Sequence, residues 1–369
     1  MVAALAVTLM QADVKAQAVT ATLPAGANPS EVAVNPVTNK TYIANYGAAS
    51  VTVIDGATGN ISTVATGTNP DGVAVNPVTN KIYVANYGSA SVTVIDGATN
   101  NTATVAAGAN PEGVAVNPVT NKVYVANYGN NTVTVIDGPT NNTALISAGN
   151  YSDWVAVNPV TNKIYLTNSG GNTVTVIDGA TDSVANNVTV GQNPYFAAVN
   201  PVTNKIYVSS YNGAITVIDG ATNNTTTVAA GANPEGVAVN PVTNKVYVTN
   251  YASNTVTVID GATNNTATVA VGINPGFVAV NPVNNKVYVT NYGSGNVTVI
   301  DGATNTTATL AAGSEPFRVA VNPVTDKVYV TNYSDNTVSV IDGATYGTAT
   351  VTVGTGPNSA AVNPVTNKI

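Results

Sequence analysis

Short runs of apolar, β-prone residues alternate along the chain with clusters of Asn, Gly, Pro and Asp. In one representative unit the runs are Gly72–Val75, Lys81–Asn86, Ser91–Asp96 and Thr102–Ala106. They are rich in β-branched residues or alternate polar and apolar positions, and no segment shows helical periodicity. The pattern predicts four short strands, called A, B, C and D below, which are joined by tight turns.

This unit recurs about every 41 residues, and each copy carries a turn close to Asn-Pro-Val-Thr-Asn-Lys. The first Asn of that turn is found at Asn35, Asn76, Asn117, Asn158, Asn200, Asn240, Asn281, Asn322 and Asn363. Four-stranded units of this length bury both faces when they pack radially, so the period predicts an all-β fold, a β-propeller of antiparallel blades. A β-solenoid is the alternative.

One step of the repeat is a residue longer, near 182–187, and we expect the addition in the C–D turn. Another step is a residue shorter, at 211–214, and we expect the deletion in the B–C turn.

The number of blades follows from the complete units, which run from Val32 to Val353. A D-like strand, Val19–Leu23, precedes them, and an A strand with the start of a B strand follows at 360–369. We expect Val19–Leu23 to replace the D strand of the last unit, which would close eight blades and leave the C-terminal strands surplus. Seven and nine blades are the alternatives. The stop within a repeat, at Lys368 and Ile369, indicates a truncated reading frame.

Strand B carries a motif with a known counterpart. Tyr83–Asn86, Tyr247–Asn250, Tyr288–Asn291 and Tyr329–Asn332 resemble the Tyr-Val-Thr-Asn motif of the YVTN family of β-propeller repeats. The Val-Ile-Asp ending of strand C completes the resemblance, at Asp55, Asp96, Asp137, Asp178, Asp219, Asp260, Asp301 and Asp342. The resemblance covers residues 19–369. The family includes archaeal surface-layer proteins and secreted bacterial proteins, and its fold is similar to that of lactonase-type propellers. It implies a propeller at the cell surface or outside the cell, and it implies no particular reaction.

Composition excludes several kinds of chemistry. Charged residues make up 8% of the chain, the net charge is −7, and there is no basic patch, so nucleic acid is a poor partner. Because the chain has no Cys, it forms no disulfides. Because it has no His, it cannot build a Ser-His-Asp triad, a His-ligated zinc or copper site, or a His-ligated haem. The sequence therefore predicts no cofactor, no metal site and no assigned catalytic residue.

The first 18 residues differ from the repeats. Met1–Met10 is apolar and 16–18 reads Ala-Gln-Ala, which together are typical of the end of a secretory signal peptide. The only early cation is Lys15, so the usual positive start is missing, and a disordered apolar N-terminus is the alternative. The apolar run is too short to span a membrane. We therefore expect residues 1–18 to be a signal-peptide remnant, 19–369 to be a single propeller domain, and the protein to be secreted or at the cell surface.

Most of the repeated polar residues are interpreted as structural. The Asp that ends strand C opens a turn, where its carboxylate can accept backbone hydrogen bonds. One Asp per turn is a poor calcium site, because calcium needs several clustered oxygen ligands. The repeated Lys is interpreted as a solvated turn residue, the Asn-Pro pair as turn chemistry, and the Tyr of strand B as packing between blades.

One position breaks the repeat. Just before the Val-Ala-Val of strand A the chain reads Glu31, Gly72, Gly113, Trp154, Phe196, Gly236, Phe277, Arg318 and Ser359. This position holds the only Trp, the only Arg and two of the three Phe, while Phe317, Tyr151, Asp153 and Tyr195 lie in the same D–A segment. Since this segment joins the outer strand of one blade to the inner strand of the next, we expect it at the mouth of the central channel.

These departures have two interpretations. Loops tolerate drift, but drift usually leaves small polar residues, whereas aromatic residues with an Arg are typical of recognition surfaces. The predicted function is a non-enzymatic binding or scaffold module for a glycan or protein partner. Its predicted ligand-binding residues are Tyr151, Asp153, Trp154, Tyr195, Phe196, Phe277, Phe317 and Arg318.

Two other functions remain open. One is a hydrolase or lyase similar to lactonase-type propellers, which would use Glu31, Asp153, Glu315 and Arg318. The other is a purely structural module of a surface array.

Overall fold

The computed structural model describes residues 25–369. Within this range it forms 32 strands and no helix, arranged as eight four-stranded antiparallel sheets in a ring. In every sheet the strands lie in the order A-B-C-D, so each blade is an up-and-down meander. The prediction of an all-β propeller with eight blades is confirmed.

The strand bounds are as follows, with β1–β4 forming blade one and so on around the ring. The A strands are β1 Pro29–Asn35, β5 Pro70–Asn76, β9 Pro111–Asn117, β13 Ser152–Asn158, β17 Pro194–Asn200, β21 Pro234–Asn240, β25 Pro275–Asn281 and β29 Pro316–Asn322. The B strands are β2 Lys40–Asn45, β6 Lys81–Asn86, β10 Lys122–Asn127, β14 Lys163–Asn168, β18 Lys205–Ser210, β22 Lys245–Asn250, β26 Lys286–Asn291 and β30 Lys327–Asn332. The C strands are β3 Ser50–Asp55, β7 Ser91–Asp96, β11 Thr132–Asp137, β15 Thr173–Asp178, β19 Ala214–Asp219, β23 Thr255–Asp260, β27 Asn296–Asp301 and β31 Thr337–Asp342. The D strands are β4 Ile61–Ala65, β8 Thr102–Ala106, β12 Thr143–Ser147, β16 Ser183–Thr189, β20 Thr225–Ala229, β24 Thr266–Ala270, β28 Thr307–Ala311 and β32 Thr348–Thr352.

The two irregular steps of the repeat are accommodated differently. The deletion at 211–214 falls in the turn between β18 and β19, as predicted. The addition does not lie in the C–D turn. Val176 pairs with Asn186 and Ile177 pairs with Val184, so Ala185 is an extra residue inside β16. That prediction is wrong, because a β-bulge on an outer strand absorbs one residue without lengthening the turn.

The hydrophobic core lies between the blades. The strand-B tyrosines are fully buried, and Tyr83 of blade two belongs to a cluster with Val123, Val125 and Ile136 of blade three. Equivalent clusters follow around the ring. The interpretation of these tyrosines as packing between blades is confirmed. Blades that share their cores in this way stabilise each other through burial of apolar surface.

The repeated Asn-Pro turn connects blades as well as turning the chain. The Asn35 side-chain oxygen accepts the Val37 N–H at 3.0 Å, which closes the turn, and its Nδ2 donates to Oδ1 of Asn80 in the next blade at 2.9 Å. Asn80 has a φ of 54°, a left-handed conformation that Asn adopts more readily than most residues. The same bond recurs between successive blades and forms an asparagine ladder around one face of the ring.

The repeated Lys reaches the next blade in most copies, whereas Lys286 and Lys327 pair with an Asp of their own blade. Lys122 Nζ donates to the Gly179 carbonyl at 3.1 Å and lies 2.7 Å from Asp182, both in the C–D turn of blade four. Lys40 and Lys81 make the corresponding bond to a glycine carbonyl. The prediction of a solvated turn residue is therefore wrong, because the Lys stem spans the blade boundary and its ammonium satisfies a turn carbonyl.

The Asp at the end of strand C has the predicted turn role. Asp96 accepts the Ala98 N–H at 3.0 Å and the Thr99 N–H at 2.9 Å. These hydrogen bonds, chiefly those from Thr99, hold the Asp96 pKa below its ordinary value because they favour the charged carboxylate.

Ring closure differs from the expectation. β32 pairs with β31, so strand C of blade eight lies between its own B and D strands and has no free edge for Val19–Leu23. The prediction that Val19–Leu23 replaces that D strand is wrong, and Val19–Leu23 itself lies outside the described residues.

The C-terminal segment is not surplus either. Asn322 of blade eight donates to Asn367 at 3.1 Å, and Asn363 donates to Asn39 of blade one at 2.8 Å. Residues 363–368 therefore bridge blades eight and one and continue the asparagine ladder.

The predicted signal-peptide remnant at 1–18 also lies outside the described residues. Within 25–369, no helix has the length and hydrophobicity needed to cross a membrane.

Candidate functional site

The first residues of the A strands form the mouth of the central channel. Neighbouring A strands, such as β1 and β5, lie against each other around the ring. In every blade the A–B pairing shifts register just after its first residue, as between Pro70 and Val73 of β5. The two residues in this bulge, Asp71 and Gly72 in blade two, are left out of the ladder. A bulge redirects side chains, so these are the positions where blades can differ without disturbing the sheet.

Five ring-bearing residues from four blades meet at this mouth, and they are called the aromatic cluster below. The ring centroids of Trp154 and Phe196 lie 4.7 Å apart, and those of Phe277 and Phe317 lie 5.1 Å apart. Tyr195 contacts Phe196 at 4.6 Å. All three pairs meet edge to face, a favoured geometry for aromatic pairs. The structure therefore brings together five of the eight predicted ligand-binding residues.

The cluster is continuous because blade six carries a glycine at the divergent position. Phe196 belongs to blade five and Phe277 to blade seven, yet their rings are only 5.8 Å apart. The intervening residue is Gly236, which is buried. A Cβ on Gly236 would lie 2.7 Å from the Gly276 carbonyl. Because blade six has a glycine at the divergent position, it leaves the space in which the rings of Phe196 and Phe277 meet.

Arg318 joins the cluster from blade eight. Its guanidinium carbon lies 4.1 Å from the Phe277 ring centroid and 5.9 Å from that of Phe317, which is cation–π geometry. Its Nε is buried and has no hydrogen-bond partner among the described residues. Burial lowers the Arg318 pKa, while the negative charges of Glu31 and Glu235 oppose that change.

The remaining two predicted residues lie elsewhere on the mouth. Tyr151 stacks on Tyr128 with a centroid distance of 5.0 Å and is 51% exposed. No ring contact joins Tyr151 to the aromatic cluster within the described range. Asp153 lies among carboxylates, as described next.

Three further carboxylates of the mouth, at Asp71, Glu112 and Glu235, were not predicted from the sequence. They occupy the position just before the divergent one, in Pro-Asp-Gly and Pro-Glu-Gly sequences that resemble ordinary turn punctuation. The sequence nevertheless marks this position as variable, since it also holds Asp153 and the cluster residues Tyr195 and Phe317. With Glu31, they form an acidic group of five residues: Glu31, Asp71, Glu112, Asp153 and Glu235.

Burial, together with repulsion between neighbouring carboxylates, raises the pKa of several members of this group. Burial raises the Glu112 pKa to about 7, and the charges of Asp153 and Asp71 act in the same direction. Burial likewise raises the Asp153 pKa to about 6, with a contribution from Asp71. Burial also raises the Glu31 pKa, although the Val73 N–H donates to its carboxylate at 3.0 Å. The carboxyl groups on this side of the mouth therefore hold their protons more strongly than exposed carboxyl groups do.

A cavity of about 610 Å³ opens beside the aromatic cluster. Six aromatic side chains line it: Tyr195, Tyr211, Tyr251, Phe277, Tyr292 and Phe317. Glu235 is the one charged residue among its described lining residues. A concave, largely apolar space with few polar groups is typical of a small-ligand site.

The residues proposed for a hydrolase are only partly assembled. At the mouth, the charge of Arg318 lowers the Glu31 pKa, and Asp153 belongs to the same acidic group as Glu31. Glu315 instead lies in a turn with a φ of 54°, where Ser334 donates to its carboxylate. Within residues 25–369, no group of three or more His, Cys, Asp and Glu side chains could hold a metal ion.

The ring of eight near-identical blades defines a β-propeller repeat protein. Residues 109–136, from blade three, match the NHL repeat family. No curated protein matches the sequence significantly.

The chain resembles many solved structures, and two of them are described here. Kuenenia stuttgartiensis hydrazine synthase is 23% identical, with a TM-score of 0.56 over 77% of this chain and 98% of that chain. The dihydro-heme d1 dehydrogenase NirN, solved in complex with DHE, is 15% identical, with a TM-score of 0.68 over 90% of this chain and 76% of that chain. At these identities the likeness shows the fold alone.

Proposed function

We propose that this chain is a non-enzymatic binding module whose ligand occupies the mouth cavity. The observation that carries the proposal is the convergence of the divergent residues. Trp154, Phe196, Phe277 and Phe317 come from four different blades, and each contacts another member of one cluster. Random substitution in separate loops is not expected to bring large aromatic side chains into contact beside a cavity. Partly buried aromatic side chains of this kind provide the anchors on which binding sites depend.

We further propose that the partner is a glycan or protein met outside the cell or at its surface. Flat aromatic faces suit the apolar faces of sugars as well as apolar side chains. The apolar start of the chain with its Ala-Gln-Ala at 16–18 supports export. The resemblance of the strand-B motif to repeats of secreted and surface-layer proteins supports the same location.

Binding of the full chain to a glycan array tests the proposal. Phe277→Gly and Phe317→Gly remove two rings of the cavity, and glycine already occupies the equivalent positions at Gly236 and Gly276. We expect each variant to reduce binding at least tenfold while the melting temperature of the ring changes little. Leu145→Ala is the matched control, since Leu145 is 58% exposed on the outer strand β12.

The outcomes separate the possible functions. Equal binding by the wild type and both Phe variants would rule out the cavity as the site. Ordered self-assembly of the chain without any ligand, together with no binding, would favour a structural module of a surface array.

A hydrolase or lyase is the second candidate, and a specific observation supports it. Burial raises the Glu112 pKa to about 7 and the Asp153 pKa to about 6, and groups with shifted pKa values are suited to general acid–base catalysis. Hydrolysis of a panel of lactones, esters and glycosides tests this alternative. Activity lost in Glu112→Gln and Asp153→Asn, with the fold retained, would replace the binding proposal.

The two enzymes named among the structural neighbours add no further candidate function. The chain has no His with which to ligate a haem iron, so a His-ligated haem cannot be held as it is in many haem proteins.

A further inference from the structure

The walls of the mouth cavity are aromatic on several sides at once. Tyr211, Tyr251 and Tyr292 begin the B–C turns of blades five, six and seven, and Phe277 and Phe317 start the A strands of blades seven and eight. Rings from the B–C turns and from the A strands therefore line one cavity. The face of an aromatic ring carries negative electrostatic potential, so several rings around one space favour a cation there.

Glu235 is the one carboxyl group that lines this aromatic space within residues 25–369. It lines the cavity, and its carboxylate receives no hydrogen bond from residues 25–369. An ionised carboxylate without a protein donor is an acceptor for a ligand's N–H group or a counter-charge for a ligand cation. Tyr195 and Phe277 line the same cavity, and the charge of Glu235 raises the Tyr195 pKa, so the carboxyl group lies among aromatic residues.

The other charged groups at the mouth are mostly carboxyl groups, and these also favour a cationic ligand. The acidic group places five carboxyl groups at the mouth, and burial raises the pKa of each, while Arg318, the one cation that acts on them within residues 25–369, lowers the pKa of Glu31, Asp71 and Glu235. Arg318 stacks on Phe277 and is not among the residues that line the cavity. An anionic ligand would meet net repulsion, and a cationic ligand would be attracted into the mouth.

We propose that the ligand of this cavity is an organic cation, whose ammonium group lies against the aromatic lining and pairs with Glu235. This inference rests on the proposed binding function and specifies the chemistry of its ligand. Both a quaternary ammonium compound and an amino sugar carry the required charge. The rings favour the first through cation–π contacts, and the Glu235 carboxylate favours the second through N–H donation.

Isothermal titration of the full chain with matched ligand pairs tests the proposal. Choline is compared with 3,3-dimethyl-1-butanol, which has the same shape without the charge. A glucosamine oligomer is compared with its N-acetylated counterpart, which is neutral. We expect the charged member of at least one pair to bind at least tenfold more tightly. That preference is expected to weaken in 0.5 M NaCl because salt screens the attraction.

Glu235→Gln separates this inference from the proposed function. The substitution keeps the shape and removes the charge, so the charged ligand is expected to lose most of its preference over its neutral partner. Phe277→Gly is expected to weaken both members of a pair.

Three results would overturn the inference. If neutral and charged members bind equally and Glu235→Gln has no effect, the ammonium chemistry is wrong while the cavity remains a binding site. If only the neutral glycans bind, the same conclusion follows. If no charged or neutral ligand binds the wild type, and the glycan array is also negative, the binding function fails together with the inference.

Discussion

The guanidinium of Arg318 stacks on the ring of Phe277 at 4.1 Å, although the two residues come from different blades. The contact places the only Arg of the chain against the centre of the aromatic cluster. It thereby couples the cation of blade eight to the ring that faces the cavity from blade seven.

This contact is expected to appear as an energetic coupling. In a double-mutant cycle of Arg318→Met and Phe277→Leu, we expect a coupling energy of about 0.5–2 kcal/mol from the lost cation–π attraction. Urea denaturation of the four proteins measures it. Effects that add to within about 0.3 kcal/mol would show that the stacking contributes nothing to stability.

The raised pKa of Glu112 predicts that mild acid stabilises the ring. Its pKa is about 7 in the folded protein and near its ordinary value of 4.5 in the unfolded chain, so the folded state binds more protons between these values. Stability should therefore rise as pH falls from about 7.5 towards 5, because the unfavourable buried charge is neutralised.

Thermal unfolding of wild type and Glu112→Gln across this pH range measures the effect. Gln cannot ionise, so the variant should show a smaller change with pH. An equal slope in both proteins would mean that Glu112 is not the group responsible.

The bond between Asn363 and Asn39 predicts a role for the C-terminal segment in closing the ring. Asn363→Ala removes a 2.8 Å hydrogen bond to blade one, and we expect a loss of about 1 kcal/mol in the free energy of unfolding. Val365→Ala is the control in the same turn, since Val365 is 71% exposed. Equal stability of wild type and Asn363→Ala in guanidinium chloride would show that the ring does not depend on this contact.

Gly236 is predicted to be required in blade six. In Gly236→Ala the new Cβ would lie 2.7 Å from the Gly276 carbonyl and 3.2 Å from the Thr249 hydroxyl, so the backbones of two blades must separate. We expect a destabilisation of about 1–3 kcal/mol. Gly354→Ala serves as the comparison, because no atom lies within 4 Å of a Cβ built there. Chemical denaturation that ranks the two variants equally would contradict the predicted clash.

The strand pattern could be predicted in detail because each blade is specified locally. Lys81–Asn86, Ser91–Asp96 and Thr102–Ala106 were expected as strands B, C and D of blade two, and they are β6, β7 and β8. Alternation of polar and apolar residues sets which side of each strand is buried, and Asn or Asp-Gly turns end each run. The A strand was predicted too short, because its first residues lie in the bulge, which has no periodic signature.

The candidate site was predicted only in part. The aromatic residues were recognisable because Trp154, Phe196 and Phe277 replace a glycine of the repeat. Glu112 and Glu235 were not recognised, since a carboxylate beside a glycine is unremarkable in a turn. Their importance comes from burial and from the charges of other blades, which no single repeat reveals.

The sequence alone determined the architecture of this protein: a period of about 41 residues, four strands in each unit and a divergent position at the start of strand A. These properties are local, since hydrogen bonding, alternation and turn chemistry act over a few residues. Only the tertiary structure decided which divergent residues meet. Phe196 and Phe277 touch across blade six, and Asn363 reaches Asn39, because closing the ring places residues side by side that are far apart in the chain.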